Sequence, residues 1–223
     1  MMLILAHSGR GFQPAHKLEG VPDLVGLDNV FFDTSANCEP IAHQAIIRIL
    51  GHERLMYGTD LPISHMRGRS LSAADTFIWL YEQTPVWKEN HSLIEPVLIG
   101  LEHLRSLKWA CWSENLTDSQ VEDIFYNNAA KLLGLYPRKG AIAVGSDADF
   151  AIIDPSAKKS LSMNDLHVRD YSPWEGWEVD GWPTTVILRG KVMVDKGQLL
   201  GTGNDGQLIP RKINPAVLQR PAF

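Results

Sequence analysis

Two side chains that can bind a metal ion or move a proton each follow a short apolar segment. His7 comes directly after Leu3–Ala6, and Asp60 follows the segment Arg54–Gly58. In a parallel α/β barrel the carboxyl ends of the strands meet at one face, so distant residues can share a site. An imidazole and a carboxylate suit zinc or a similar divalent ion, and an aspartate can accept a proton from water. The alternatives are a buried histidine bonded to a backbone carbonyl and an aspartate that caps a turn.

Other polar residues are weaker candidates. His65 follows Asp60 by five positions, on a segment that also carries Arg67. We predict that His65 and Arg67 bind an anionic substrate; the alternative is a solvated loop. Cys38 can bind zinc as a thiolate, although its type favours a small buried apolar residue.

The elements that would position these residues follow from the apolar pattern. Apolar segments at 3–6, 29–33 and 54–58 indicate strands, and an apolar stripe over 41–50 that ends at Gly51 indicates a helix between the last two. Strand, helix and strand together predict a βαβ unit with parallel strands. Thr117 begins a capping box, which predicts a helix to Leu133. Two further helices are predicted at 73–82 and 94–109.

The pattern changes near Pro137, where we place a domain boundary. Glycine and proline then separate short segments of β-forming residues. The strands predicted there are 141–144, 149–153, 184–188, 191–194 and 198–200, with a hairpin turn at 195–197. The residues after Gly201 contain several prolines and are predicted to form an extended arm.

Composition excludes several classes of protein. The chain has 223 residues, 44% of them hydrophobic, and a net charge of −5. These values predict a globular protein, and the absence of a lysine and arginine block argues against a nucleic-acid partner. The apolar runs fall far short of the roughly 20 residues of a membrane span, so no membrane association is predicted. Two cysteines suit a reducing compartment and predict a cytoplasmic location.

The first part of the chain resembles the amidohydrolase-related branch of the amidohydrolase superfamily. The resemblance rests on I-L-A-H-S-G-R-G, F-F-D-T-S, R-L-M-Y-G-T-D-L-P and the helix F-Y-N-N-A-A-K-L-L-G-L. It implies an α/β fold, with residues 1–136 forming the C-terminal half of a TIM-like (β/α)8 barrel. It also implies His7 and Asp60 as metal ligands, Asp60 as the catalytic residue that activates water, and a divalent metal, zinc, as cofactor.

The second part resembles the C-terminal region of D-hydantoinases and dihydropyrimidinases. The matching segments are Y-P-R-K-G-A-I-A-V-G-S-D-A-D-F-A-I-I-D-P and W-E-V-D-G-W-P-T-T-V-I-L-R-G-K-V-M-V-D-K-G. The resemblance implies a small β-sandwich-type domain over residues 137–223, ending in an arm that contacts other subunits. We therefore expect a homo-oligomer.

Together the two resemblances imply a metal-dependent hydrolase of C–N bonds other than peptide bonds, with cyclic amides as small-molecule substrates. The superfamily's H-x-H pair is missing from the eight histidines, so the metal site of this chain is incomplete. Two alternatives remain open. One is an amidohydrolase-related enzyme with another substrate, including a decarboxylase-like C–C lyase. The other is a catalytically inert fragment or assembly piece.

Overall fold

The computed structural model describes residues 2–87, 95–139, 141–166, 172 and 174–211. The described residues form two compact units. The first contains the residues up to Tyr136 and also Arg211, and the second spans Pro137–Pro210. The C-terminal arm predicted after Gly201 is interrupted by a 3-10 turn at Gly203–Asp205, and its residues beyond 211 lie outside the described part of the chain.

A three-stranded parallel sheet lies at the centre of the first unit. Its strands are β1 (Leu3–Leu5), β2 (Val30–Asp33) and β3 (Leu55–Met56), in the order β1-β2-β3. Leu3 pairs with Val30, and Phe32 pairs with Leu55. The predicted βαβ unit is confirmed, because a helix over Pro40–Leu50 connects β2 to β3 and ends at Gly51, whose φ is 95°.

Five helices surround this sheet in the described part of the unit. They are α1 (Pro14–Gly20), α2 (Pro40–Leu50), α3 (Ile99–Ser113), α4 (Asp118–Glu122) and α5 (Asn128–Leu132). Short 3-10 turns lie at Pro22–Leu24, His52–Arg54 and Ile63–His65. The helix predicted at 94–109 corresponds to α3, which begins and ends later. Among the described residues, no helix has the length and apolar composition that crossing a bilayer requires.

The capping box at Thr117 is confirmed, but the helix after it is not regular. The Thr117 amide donates to Gln120 Oε1 at 2.9 Å, and Gln120 donates back to Thr117 Oγ1. A π-helical turn (Asp123–Asn127) then separates α4 from α5. The Ile124 carbonyl accepts a hydrogen bond from the Tyr57 amide at 2.8 Å. This bond to the residue after β3 draws the carbonyl out of the helical ladder and accounts for the widened turn.

The helix predicted at 73–82 is wrong. The segment belongs to an antiparallel hairpin of β4 (Gly68–Ala73) and β5 (Thr76–Tyr81). Aromatic residues alternate along β5 and therefore share one face of the strand. On that face the Trp79 ring stacks on Tyr81 at 5.8 Å. Packing of these aromatic rings favours the strand over the helix.

One apolar cluster holds the sheet of the first unit to α2, α3 and the π-helical turn. Its largest fully buried side chains include Phe32, Ile46, Leu55, Leu107 and Ile124. Burying each such side chain contributes about 1.5–3 kcal/mol. This core fixes the carboxyl ends of the three strands relative to one another.

The second unit contains an antiparallel sheet. Its strands are β6 (Phe150–Ser160), β7 (Glu178–Leu188), β8 (Lys191–Asp195) and β9 (Gln198–Leu199), and they lie in the sheet in the order β6-β7-β8-β9. The unit also contains the helix α6 (Met163–Leu166) and a 3-10 turn (Gly203–Asp205). The strands predicted at 149–153, 184–188, 191–194 and 198–200 are confirmed, and the first two are longer than predicted. The turn at Lys196 and Gly197 is also confirmed, with φ of 48° and 79°.

The strand predicted at 141–144 is wrong. These residues form no regular strand, and the Ser146 amide closes a turn on the Ala143 carbonyl. The side chains of Ile142 and Val144 are fully exposed. Within the described residues no strand pairs with this segment, so β-forming residue types alone do not produce a strand here.

Candidate active site

The structure brings His7 and Asp60 together. His7 lies two residues after β1, and Asp60 lies four residues after β3, at the same edge of the parallel sheet. The His7 Nδ1 atom is 3.9 Å from Asp60 Oδ2, and both side chains are about one-third exposed. Two groups that are 53 positions apart in the sequence therefore face each other where solvent and a ligand can reach them.

The backbone that carries His7 is strained. In the turn Ala6–Arg10 the φ values of His7, Ser8, Gly9 and Arg10 are 56°, 53°, 66° and 59°. Such left-handed backbone costs roughly 1–2 kcal/mol for each residue that has a Cβ. Asp60 also has a positive φ of 56°. Strained residues of this kind are concentrated at functional sites, where the surrounding structure stabilises them.

Asp33, which the sequence analysis did not select, holds this turn in place. Its Oδ1 atom accepts hydrogen bonds from the amides of His7 and Ser35, each at 3.0 Å. The Ser35 carbonyl lies 2.9 Å from His7 Nδ1. Since a carbonyl only accepts, Nδ1 carries the proton and neutral His7 keeps the Nε2 lone pair available. In the sequence, the one feature that indicated that Asp33 holds this turn is its position at the end of a predicted strand.

Aromatic rings fix the His7 side chain from the other direction. The Phe12 ring lies 5.3 Å from the His7 ring and stacks on Phe77 of β5 at 4.5 Å. Phe12 also contacts the edge of Trp79 at 5.5 Å. The hairpin missed by the sequence analysis therefore provides one wall of the candidate site.

A buried polar network lies behind the strained turn. Ser8 Oγ is 2.8 Å from His43 Nδ1, and His43 Nε2 is 3.2 Å from the Asn37 carbonyl. Burial lowers the pKa of His43 to about 3, so the ring is neutral at pH 7. His103 is also fully buried, and neither of its ring nitrogens has a hydrogen-bond partner among the described residues. Neither histidine was predicted from the sequence to belong to the site.

The other predicted residues make contacts of their own. Arg67 is exposed, and its guanidinium donates to the Pro96 carbonyl at 3.0 Å. His65 lies in the 3-10 turn Ile63–His65, where its Nδ1 is 3.4 Å from Ser64 Oγ. Substrate binding by His65 and Arg67 therefore stays a prediction. Burial raises the pKa of the Cys38 thiol, which disfavours the thiolate that a metal would require.

His7 and Asp60 are the donor types that a divalent ion requires, but they do not form a complete metal site. Catalytic zinc usually has three protein ligands. No group of three or more histidine, cysteine, aspartate or glutamate side chains that could hold an ion exists among the described residues. The His7 nitrogen that faces Asp60 also donates to the Ser35 carbonyl. The described residues therefore provide at most part of a metal site.

The chain is similar to known proteins over part of their length. The chain is 43% identical over 95 residues to the D-hydantoinase of Ralstonia pickettii. It is 34% identical over 133 residues to the dihydropyrimidinase of Rattus norvegicus. These matches cover 42% and 58% of this chain, but 21% and 26% of those two proteins. The chain thus spans about a quarter of the length of the curated relatives it matches.

The fold and the family agree with these relatives. A solved structure of a D-hydantoinase has a TM-score of 0.50 and 22% identity, over 94% of this chain and 56% of that one, which is a likeness of fold alone. An amidohydrolase family model matches residues 2–135, and a second one matches 107–193. The two models overlap from α3 to α5. The match over residues 2–135 covers more than half of this chain, so the chain belongs to the amidohydrolase family.

Proposed function

We propose that this chain forms part of a hydrolase that opens the C–N bonds of cyclic amides, as the names of its hydantoinase and dihydropyrimidinase relatives suggest. Membership of the amidohydrolase family implies a divalent metal cofactor for the whole enzyme. Zinc as the metal, and His7 and Asp60 among its ligands, remain predictions, because the described residues do not complete a metal site.

The observation that supports this proposal best is the 3.9 Å approach of His7 Nδ1 to Asp60 Oδ2 at the carboxyl edge of the parallel sheet. In the proposed reaction the Asp60 carboxylate removes a proton from the water that attacks the amide carbonyl. It then delivers the proton to the departing nitrogen. Asp33, Ser35 and Phe12 hold His7 so that its Nδ1 lies toward this carboxylate and its Nε2 stays free of the Ser35 hydrogen bond.

The surroundings of the site form the remainder of the proposal. We place the first unit in the C-terminal half of a (β/α)8 barrel and the second unit in a β-sandwich-type domain. We propose His65 and Arg67 as substrate-binding residues. A homo-oligomer is proposed because large apolar side chains such as Trp109 and Trp112 are 59% and 70% exposed. The free cysteines Cys38 and Cys111 are the basis for proposing a cytoplasmic location.

The test is an assay of ring opening. The purified chain is incubated with hydantoin or dihydrouracil, with and without added zinc or manganese, and the carbamoyl product is measured by chromatography. We expect slow turnover, because the described residues supply only part of a metal site. We expect Asp60→Asn to lower this rate at least about 100-fold, because the general base is lost. Asp180→Asn is the matched control, since Asp180 lies in the second unit and is 77% exposed.

Two results would contradict the proposal. Absence of ring opening with either metal would reject hydrolysis by this chain alone. If Asp60→Asn and Asp180→Asn retained equal rates, Asp60 would not be the base. Light scattering of the same preparation checks the oligomer, and a monomer at micromolar concentration would contradict that part.

A further inference from the structure

A pocket of about 380 Å³ opens beside the strained turn Ala6–Arg10. Its lining contains neither His65 nor Arg67, the residues predicted to bind substrate. It lies between α1 and the tip of the β4–β5 hairpin, and its lining includes Arg10, Gln13, His16, Lys17, Asp75 and Phe77. This volume is within the range of pockets that hold small molecules, roughly 300–1,000 Å³.

The pocket has an excess of positive charge. Arg10 and Lys17 form no ion pair with a carboxylate within the part of the chain that the structure describes. Asp75, the one acidic residue in the lining, lies 2.8 Å from His16 Nε2. By contrast, Arg69 pairs with Glu102 at 3.5 Å. Arg10 and Lys17 thus lack the carboxylate partner that Arg69 has.

Lys17 is held inside the pocket. A Cβ atom added to Gly9 would lie 2.9 Å from Lys17 Nζ and 3.2 Å from the Phe32 ring, so the ammonium group lies directly over the strained turn. Burial lowers the pKa of Lys17. A partly desolvated ammonium group attracts an anion more strongly than one in bulk water does, because the local dielectric constant is lower.

We propose that this pocket binds a small molecule through a carboxylate or phosphate group, with Lys17 and Arg10 as its cationic contacts. Phe77 provides an apolar surface for the remainder of the ligand. Because Phe12 contacts both Phe77 and His7, the pocket borders the candidate active site. The inference concerns binding and does not depend on ring opening, so the two proposals can fail separately.

The test measures the binding of two probes, inorganic phosphate and succinate, by isothermal titration calorimetry of the full chain at low ionic strength. We expect saturable binding of at least one probe. Lys17→Met should weaken it at least about tenfold, because a hydrogen bond to a charged group contributes about 1.5–3 kcal/mol. Lys158→Met is the matched control, since Lys158 is 82% exposed and lies in the second unit. Phosphate and succinate distinguish the two kinds of anion.

Circular dichroism would reveal whether Lys17→Met folds. If it does not fold, Arg10→Met is the second variant, and we expect it to weaken binding as well. The proposal would be overturned if neither probe saturated the chain by about 100 mM, a concentration that corresponds to negligible affinity. It would also be overturned if Lys158→Met weakened binding as much as the pocket variants do, because binding would then follow net charge alone.

Discussion

The two units of this chain are stabilised in different ways. The first unit buries large apolar side chains completely, among them Phe32, Ile46 and Leu55. In the described residues of the second unit, Leu161 is the one buried apolar side chain, while Ile152 and Ile153 are 51% and 58% exposed. The first unit therefore contains a core of its own, whereas the sheet of the second unit leaves large apolar side chains exposed.

The second unit has several salt bridges between lysine and aspartate side chains. Lys139 contacts both Asp147 and Asp149, and Lys191 contacts Asp205. Exposed pairs of this kind contribute about 0–1 kcal/mol each, much less than a buried isoleucine. The rigid backbone that positions His7 and Asp60 therefore depends on the first unit.

The largest expected effect comes from removing the same side chain in both units. Ile46→Ala leaves a cavity in the core of the first unit and should destabilise it by about 2–5 kcal/mol. Ile152→Ala, in an exposed position of β6, should cost below about 1 kcal/mol. Amide hydrogen exchange measured by mass spectrometry reports the stability of each unit separately. Equal losses from the two variants would show that the second unit has a core of similar quality.

A smaller contrast is expected within the first unit, between its two buried histidines. His43→Leu removes the partner of Ser8 and should destabilise the strained turn by about 1–3 kcal/mol. His103→Leu removes a ring whose nitrogens have no hydrogen-bond partner in the described structure, so it should be neutral or stabilise the unit. Urea denaturation monitored by far-ultraviolet circular dichroism measures both changes. A loss of stability with His103→Leu as large as that with His43→Leu would contradict the assignment.

The same variants should change the response to pH. Burial lowers the pKa of His103 from 6.5 to about 4, although Asp33 opposes the shift. Because the unfolded chain binds a proton near pH 6.5 and the folded chain does not, this group favours unfolding increasingly as pH falls from about 6.5 to 4. His103→Leu should therefore flatten the dependence of stability on pH over that interval. An unchanged dependence would mean that His103 is not neutral in the folded state.

The sequence predicted the elements that carry the site better than it predicted the contacts within it. Apolar segments located β1, β2 and β3, and parallel pairing then explains why residues after them meet. The role of Asp33 was not predictable in this way, because its partner is the His7 amide 26 positions away. The hairpin was missed because the segment Thr76–Tyr81 is consistent with both a helix and a strand until its packing against Phe12 is known.

The smallest effect is expected from the ion pairs of the second unit. Lys191 and the Thr202 amide lower the pKa of Asp205 from 3.8 to about 2, so this carboxylate stabilises the folded unit above pH 3.8 and loses that effect as pH falls toward 2. Lys191→Met should therefore move the acid unfolding midpoint of the second unit to slightly higher pH, as followed by nuclear magnetic resonance of its amides. Lys158→Met is the control, because Lys158 and Asp180 are both exposed and 3.6 Å apart. The amides of the first unit should not respond to Lys191→Met, since Lys191 and Asp205 both lie in the second unit. If both units responded equally, the two would unfold as one, and the contrast between a buried core and a charged surface would not describe how this chain is stabilised.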